Sequence, residues 1–296
     1  MSTSPGLWKA WLLAARPQTL FVSICPVLIA IVLSFRLASI DWFGSVCCLM
    51  IALLLQLAAN FSNDYFDAKH GVDTPQRVGP KRATAEGWIS ASSMKRGFIL
   101  CLLAAFLLGL IIILKAGWLF AILGVAAILS AILYTGGPFP YGYFGLGDVF
   151  AFFFFGPVAV CGTYYVNALV WSDYVFILSV APGLLATAIL AVNNLRDCDE
   201  DTLHNKRTLA VLLGKRFVKF EYAVCVWVAA LIPLYLYFHH GLYPFTVLTI
   251  IVTFLAKKPL RMMWDSDDAD LNEALVRTAK LLVSFSILFT VGVLAN

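Results

Sequence analysis

Charged residues are scarce in this chain. Asp, Glu, Lys and Arg make up 13% of its 296 residues, whereas 61% of the residues are hydrophobic. An ordinary soluble domain carries about 25% charged residues, so this composition excludes a soluble globular protein. The apolar residues form continuous runs and lack the short alternation that is typical of membrane β-strands. The sequence therefore predicts an all-α integral membrane protein whose helices cross a bilayer core of about 30 Å.

Several familiar motifs are also missing. The seven cysteines include no CxxC pair, which favours small apolar packing residues over a zinc site or a disulfide framework. The sequence contains no Walker loop, no dinucleotide-binding fingerprint and no GxSxG elbow. The N-terminal residues are not expected to form a cleavable signal, because Lys9 and Arg16 interrupt the apolar segment. They are predicted to form a short amphipathic helix at the membrane surface instead.

Nine apolar spans are predicted along the chain. They lie near residues 18–35, 42–62, 97–114, 117–134, 149–166, 174–192, 218–238, 242–256 and 275–295. With the N-terminus inside, every Lys and Arg except Arg36 and Lys115 falls on the cytoplasmic side, as the positive-inside rule requires. Residues 1–296 are thus expected to form one polytopic domain, N-in and C-out. Its long cytoplasmic loops lie near residues 63–96 and 193–217.

The first long loop opens with acidic and amide side chains. Asp64 and Asp67 stand three positions apart, so a helix would place them on one face, beside Asn60 and Asn63. Such oxygen ligands suit Mg²⁺, which prefers one or two carboxylates together with phosphate oxygens and water. Asp73 follows beyond the expected end of the helix. The alternative is a solvated charged loop, which the cost of unpaired acids at a membrane boundary disfavours.

A similar motif ends the sixth predicted span. Asn193 and Asp197 repeat the spacing of Asn60 and Asp64 at an offset of 133 residues, and Asp197 shares a helix face with Asp201. Four predicted helices separate the motifs, which indicates two parallel four-helix pseudo-repeats plus one further helix. The two motifs could face each other across a central cavity and hold Mg²⁺ on both sides of one diphosphate. The predicted metal ligands are Asp64, Asp67, Asp197 and Asp201.

Basic residues near the motifs are candidates for contacts with phosphate oxygens. Arg77 and Lys206 are favoured among them. The alternative is that these residues only mark cytoplasmic loops, and that Arg16 only anchors the first span at the headgroups. The full set of candidates is Arg16, Arg77, Lys81, Arg82, Lys206 and Arg207.

An aromatic and glycine-rich stretch joins the fourth and fifth spans. Tyr134, Tyr141 and Tyr143 offer ring faces, which stabilise cations, including a developing carbocation. The alternative is an interfacial aromatic belt. Asp148 enters the fifth span as its one carboxylate. It could act as a base, stabilise a cation or cap the helix N-terminus.

These motifs resemble the UbiA family of intramembrane aromatic prenyltransferases. The similar segments read ARPQTL, NDYFDAKHGVDTPQRVGP, PYGYFGLGD, FFGP and NNLRDCDEDTLHNKRTLAVLLGK, between residues 15 and 215. Within the family they are most similar to the branch that prenylates 1,4-dihydroxy-2-naphthoate, and the position of Asp73 is part of that likeness. Two positions depart from the wider pattern: Gly71 stands where relatives often carry an acid, and GGPFP stands where they often carry a basic residue.

The resemblance implies a helical bundle around a central cavity that opens sideways to lipid. It implies Mg²⁺-dependent transfer of a polyprenyl group from its diphosphate to 1,4-dihydroxy-2-naphthoate, with loss of CO₂, in menaquinone synthesis at a bacterial inner membrane. The expected active site faces the cytoplasm, and neither nucleic acid nor an obligate protein partner is implied. The catalytic candidates are Asp64, Asp67, Asp197, Asp201, Tyr134 and Asp148, and the substrate-binding candidates are Arg16, Asn60, Asn63, Asp73, Arg77, Lys81, Tyr141, Asn193, Asn194 and Lys206.

Three alternatives remain open from the sequence. The first is an enzyme of the same family with another aromatic acceptor, such as 4-hydroxybenzoate or a haem or chlorophyll precursor. The second is a transporter of an anionic metabolite, which would move its substrate without forming a covalent product. The third is a structural membrane subunit, which leaves the two acidic motifs unexplained.

Overall fold

The computed structural model describes residues 5–71, 79–241, 243–265 and 270–295. This part of the chain contains helices and connecting segments but no β-strand, and seven continuous helical segments, one of them Gly147–Ala168, are long and apolar enough to cross a membrane. The prediction of an all-α multi-pass membrane protein is therefore confirmed. The helices are α1 Leu7–Ala15, α2 Pro17–Leu37, α3 Trp42–His70, α4 Ala91–Ala116, α5 Leu119–Leu133, α6 Gly147–Phe153, α7 Ala159–Ala168, α8 Asp173–Arg196, α9 Cys198–Leu203, α10 Leu209–Leu213, α11 Lys215–His240, α12 Ile251–Leu255, α13 Lys257–Asp265 and α14 Leu271–Leu294.

The predicted count of nine spans is not confirmed. Helix α5 has 15 residues, fewer than the roughly 20 that usually cross a bilayer. The predicted span 242–256 is divided into a 3₁₀ segment, Pro244–Ile250, and the short α12. The 3₁₀ backbone packs against α14 at Gly292, where an added Cβ would lie 2.8 Å from the carbonyl carbon of Phe245. The missing side chain thus permits an irregular backbone at this position.

Helix α3 continues beyond the predicted apolar span. The span was expected to end near residue 62 and the helix near Gly71, and α3 continues to His70 and has 29 residues, a length of about 44 Å. Gly71 ends the helix with φ +67°, as expected for a glycine at this position. The first acidic motif therefore lies on the last two turns of a helix and not in a loop.

Helix α8 lies at the centre of the bundle and is mostly buried. It packs closely on the π-helical turn Phe154–Val158, which joins α6 to α7. A Cβ on Gly183 would lie 2.7 Å from the carbonyl oxygen of Phe152, and one on Gly156 would lie 3.0 Å from the Cα of Gly183. The second acidic motif thus extends from the end of a tightly packed helix.

Five of the seven cysteines are buried, and the cysteines lie in clusters of apolar side chains. Burial among apolar residues is the behaviour of a small apolar side chain. The predicted role of the cysteines as packing residues is confirmed.

Candidate active site

A cavity of about 570 Å³ opens among helices α2 to α8. One end is polar, and the remainder is lined mainly by apolar side chains, chiefly from α3, α4, α5 and the segment from α6 to α7. The polar lining consists of Arg16, Thr19, Ser23, Gln56, Asn60, Asn63, Asp67, Arg82, Ser130, Tyr134, Thr135, Tyr141, Thr163, Asn193, Asp197 and Lys206. Both acidic motifs thus contribute side chains to one cavity.

The first motif turns Asn63 and Asp67 towards this cavity. The two residues are four positions apart on α3 and share a helix face. Thr135 donates a hydrogen bond from Oγ1 to Asn63 Oδ1 at 2.8 Å. Arg82, fifteen residues further along, places Nη2 3.5 Å from Asp67 Oδ2. The carboxylate of Asp67 is therefore paired with a cation from the following loop.

Arg16 reaches the same polar end from the junction of α1 and α2. It has a left-handed backbone, φ +49°, and its side chain lines the cavity. Nearby, Asn60 donates from Nδ2 to the carbonyl of Ala15 at 2.8 Å and to Thr19 Oγ1 at 3.0 Å. These bonds hold the junction against α3, and of the two alternatives that the sequence left open for Arg16, the cavity position is the one that the structure shows.

The second motif is built around a break in the helix. Helix α8 ends at Arg196, and Asp197 lies between it and the short α9, which begins at Cys198. The amide of Asp201 still donates to the carbonyl of Asp197 at 2.7 Å, which keeps the two residues one turn apart. Arg196 donates two hydrogen bonds to Asp197, from Nε to Oδ1 at 2.6 Å and from Nη2 to Oδ2 at 2.8 Å. Such bidentate pairs fix the plane of a carboxylate.

Lys206 lies between the two motifs. Its Nζ is 3.0 Å from Asp201 Oδ1. Burial alone would lower the pKa of Lys206, but the carboxylates of Asp201, Asp67 and Asp197 outweigh this effect and raise the pKa. One ammonium group thus interacts with acids from both motifs, and it stays protonated at neutral pH.

Comparison with known proteins agrees with this geometry. The model of the UbiA prenyltransferase family matches residues 23–285. The chain belongs to this family. Two similar relatives carry the name 1,4-dihydroxy-2-naphthoate octaprenyltransferase: the Haemophilus influenzae protein is 35% identical over 97% of this chain and 96% of its own, and the Escherichia coli protein is 34% identical over 96% and 95%.

Solved structures of UbiA homologues share the fold. An apo structure from Aeropyrum pernix aligns with a TM-score of 0.71 at 15% identity, covering 95% of this chain and 98% of that one. A structure from Archaeoglobus fulgidus, bound to GPP and Mg²⁺, aligns with a TM-score of 0.65 at 14% identity, covering 96% and 99%.

The structure places three of the four residues of the predicted internal match at the cavity. The sequence paired Asn60 and Asp64 with Asn193 and Asp197. Asn60, Asn193 and Asp197 line the cavity, as do Asn63 and Asp67. Asp64 is not among the cavity-lining residues of the described chain; its two carboxylate oxygens accept the amides of Ala83 and Thr84 at 3.0 and 2.8 Å.

Other predicted contacts fall outside the cavity lining. Lys81 is exposed and pairs with Glu86 at 3.2 Å, so its predicted contact with diphosphate finds no support, whereas the neighbouring Arg82 lines the cavity. The predicted contacts of Asp73 and Arg77 lie outside the described residues.

Asp148 does not cap α6. The helix begins at Gly147, so Asp148 lies inside the first turn and the cap interpretation is wrong. Its carboxylate accepts a hydrogen bond from Nδ2 of Asn194 at 3.2 Å. Both side chains are buried behind the cavity wall, so the predicted contact of Asn194 with substrate also finds no support.

The tyrosines form an aromatic wall. Tyr134 and Tyr141 both line the cavity, with ring centroids 5.5 Å apart. Tyr141 stacks on Phe150 at 4.1 Å and donates its hydroxyl to the carbonyl of Ser130. Burial, as the largest cause, raises the pKa of both phenols. They are therefore neutral at physiological pH and present uncharged ring faces.

Sequence reasoning missed Arg196 and Thr135 as site residues. The signal for Arg196 was its position directly before Asp197. Thr135 lies in the glycine-rich stretch, and nothing local distinguishes it as the partner of Asn63, which is 72 residues away.

The residues at the polar end suit a divalent cation. Within the described residues, no three His, Cys, Asp or Glu side chains stand close enough to hold a metal by themselves. Mg²⁺ does not require such a cluster, because it binds through one or two carboxylates and completes its shell with water and phosphate oxygens. The ammonium group of Lys206 already marks a position at which acids from both motifs stabilise positive charge.

Proposed function

We propose that this chain transfers a polyprenyl group from an allylic polyprenyl diphosphate to 1,4-dihydroxy-2-naphthoate, with loss of CO₂ and diphosphate, in menaquinone biosynthesis. The observation that carries the proposal is the similarity, along nearly the whole chain, to two relatives named for this acceptor. The cavity supports it, because a charged end beside an apolar remainder matches a charged diphosphate on an apolar chain.

Arg16, Arg82 and Lys206 are the proposed diphosphate contacts. All three line the polar end of the cavity, and charge-assisted bonds to phosphate oxygens are among the stronger hydrogen bonds in proteins. Asp67 and Asp197 are the proposed metal ligands that line the cavity, with Asp201 beside them. When bound, Mg²⁺ would neutralise negative charge on the diphosphate and make it a better leaving group.

The proposed reaction is a substitution at the ring carbon that carries the carboxylate. The allylic C–O bond breaks, diphosphate keeps the electron pair, and the electron-rich ring forms the new C–C bond. The carboxylate then leaves as CO₂, and its C–C electron pair restores the aromatic ring. Because CO₂ departs where a proton would otherwise be lost, an ionised acceptor needs no general base. The predicted role of Asp148 as a base is thus not required by this balance.

The aromatic wall has a role during bond breakage. The faces of Tyr134 and Tyr141 border the polar end, and aromatic faces attract positive charge. They are placed to stabilise the allylic group as it becomes cationic. The apolar remainder of the cavity keeps water away from that group, which protects it from hydrolysis.

The proposed location is a bacterial inner membrane, with the polar end of the cavity facing the cytoplasm. The distribution of Lys and Arg supports this orientation. The apolar substrate can then enter from the bilayer, while the naphthoate approaches from the aqueous side.

The test is a product assay by mass spectrometry. Purified protein receives Mg²⁺, an allylic diphosphate and one acceptor from a panel that includes 1,4-dihydroxy-2-naphthoate and 4-hydroxybenzoate. The expected result is a prenylated naphthoquinol without the carboxylate. A product from 4-hydroxybenzoate alone would identify a different acceptor, and substrate movement across vesicles without product would support a transporter.

A further inference from the structure

Asp64 is fully buried but points its carboxylate at backbone, not at the cavity. It is 1% exposed. Its Oδ2 accepts the amide of Ala83 at 3.0 Å, and its Oδ1 accepts the amide of Thr84 at 2.8 Å. Two successive amides that converge on one carboxylate form an anion-binding turn. Both oxygens of this acidic residue are thus committed to the loop that follows the first motif.

The loop that Asp64 holds is a compact turn, Arg82–Ile89. The amides of Trp88 and Ile89 both donate to the carbonyl of Ala83, at 2.9 and 3.2 Å, and the amide of Glu86 donates to the carbonyl of Arg82 at 3.0 Å. Ala83 and Ile89 are buried in an apolar cluster with residues of α1, α3 and α4. The turn is therefore internally bonded, and Asp64 is a polar link between it and α3.

The position of Asp64 on α3 fits this arrangement. Successive residues of an α-helix are about 100° apart, so residues four apart differ by only about 40°. Asn63 and Asp67 therefore share the cavity face, and Asp64, three positions before Asp67, is only about 60° away from Asp67 around the helix. The amides of Ala83 and Thr84, and not helical geometry alone, thus direct the Asp64 carboxylate towards the turn.

We infer that Asp64 is a positioning residue: it fastens the Arg82–Ile89 turn to α3 and so holds Arg82 beside Asp67 at the cavity. Arg82 directly precedes the two clamped amides, and its Nη2 lies 3.5 Å from Asp67. The inference rests on the proposed function for the chemistry at Asp67, and it replaces the predicted role of Asp64 as a metal ligand. To bind a metal, Asp64 would have to release two amides, and the amide of Ala83 lies in buried surroundings where loss of its acceptor is unfavourable.

Hydrogen exchange on the wild-type protein tests the inference without a substitution. In metal-free protein, the amides of Ala83 and Thr84 are expected to be protected from exchange. Addition of Mg²⁺ and geranyl diphosphate should leave this protection unchanged or increase it. A tenfold or larger loss of protection at these two amides would show that Asp64 moves to the metal, and would overturn the inference.

Two matched variants separate positioning from ligation. Asp64→Asn should raise exchange at Ala83 and Thr84 at least tenfold and speed tryptic cleavage after Arg82, while Mn²⁺ affinity in the presence of geranyl diphosphate, measured by electron paramagnetic resonance, changes less than threefold. Asp67→Asn should weaken Mn²⁺ binding at least tenfold and leave exchange in the turn unchanged. The reverse pattern, with metal binding lost in Asp64→Asn and the turn still protected, would contradict the inference.

A third variant covers the case in which Asp64→Asn does not fold. Thr84→Pro removes one of the two donors while Asp64 remains, and it should raise exchange at Ala83 without weakening Mn²⁺ binding more than threefold. If exchange at Ala83 stays at the wild-type rate, the inference that Asp64 fastens the turn to α3 is refuted. None of these measurements uses the naphthoate, so failure of the product assay would count against the proposed function and not against the positioning role of Asp64.

Discussion

The two acidic motifs hold their aspartates in different ways. In the second motif, the partner of Asp197 is the adjacent Arg196, which binds it through two short bonds. In the first motif, Arg82 from a separate turn lies 3.5 Å from Asp67. Asp197 thus has a partner beside it in the chain, whereas Asp67 has a partner that comes from a loop. Similar sequence spacing therefore does not imply similar support.

Replacement of the two cavity-lining aspartates should have the largest effect. Asp67→Asn and Asp197→Asn are each expected to reduce the rate of prenyl transfer about 1,000-fold, roughly 4 kcal/mol, because each removes a proposed metal ligand. The measurement is kcat/KM with saturating acceptor. Asp199→Asn is the matched control, since Asp199 lies in the second motif but is exposed and pairs with Lys215. A comparable loss in that control would show that acidity of the segment, and not cavity position, matters.

Removal of the two arginines should reveal the difference in support. Arg196→Met leaves the buried Asp197 without its bidentate partner and is expected to lower the free energy of unfolding by about 3 kcal/mol. Arg82→Met removes the 3.5 Å contact with Asp67 and should cost about 1 kcal/mol. Thermal or denaturant unfolding of metal-free protein measures both. Equal losses would mean that the two motifs are supported equally.

Loss of Lys206 should have opposite effects on the binding of diphosphate and of metal. Lys206→Met is expected to raise the KM for diphosphate about tenfold, yet to increase the rise in Tm that Mg²⁺ produces, because three carboxylates lose their ammonium partner. The raised pKa of Lys206 means that its stabilisation is fully present below about pH 10.4 and is lost only as pH rises through the higher folded value. Lys81→Met is the control. An unchanged Mg²⁺ effect on Tm would show that Lys206 does not compete with metal.

The apolar end of the cavity should determine which lengths of prenyl chain are accepted, without affecting either acidic motif. Gly124 on α5 lines the cavity, and a Cβ added there meets open space. Gly124→Trp is expected to reduce products from long diphosphates about tenfold relative to short ones, since overpacking costs about 1–3 kcal/mol. Competition between geranyl and longer diphosphates, read by mass spectrometry, measures the ratio. Leu129→Trp, on the exposed face of the same helix, should leave the ratio unchanged.

The smallest effect is expected at the opposite end of α3. Lys115 donates to Asp41 and, as the largest cause, lowers the pKa of that carboxyl. Its stabilisation is present above the unfolded pKa of about 3.9 and is lost as pH falls through the lower folded value. Asp41→Asn keeps a good helix cap but loses the ion pair, so the free energy of unfolding at pH 7 should fall by less than about 1 kcal/mol. Transfer activity should not change, and a large loss would show that the two ends are coupled.

Local features of the sequence predicted the helices, because long apolar runs and glycine ends leave few alternatives. They also predicted that the two acidic motifs could face one cavity, and residues of both motifs line it. Which aspartate of α3 faces the cavity was not predictable, because Asn60 and Asn63 each have an Asp four residues later. Packing decides that Asp67, and not Asp64, lines the cavity.

Long-range contacts account for the remaining differences. Lys81 and Arg82 are neighbours in sequence, and the turn clamped by Asp64 determines that Arg82 enters the site. The irregular segment before α12 depends on Gly292, more than forty residues further along the chain. Neither contact could be predicted from the sequence near these residues, because the partners are distant along the chain.

A double-mutant cycle tests most directly whether the two motifs form one diphosphate site. The affinity for geranyl diphosphate with Mg²⁺ is measured in wild type, Asp67→Asn, Asp197→Asn and the double variant. If both residues act on one bound diphosphate, the double variant should bind little more weakly than either single variant, with a coupling of about 1 kcal/mol or more. Strictly additive losses, or full affinity in either single variant, would contradict a shared site.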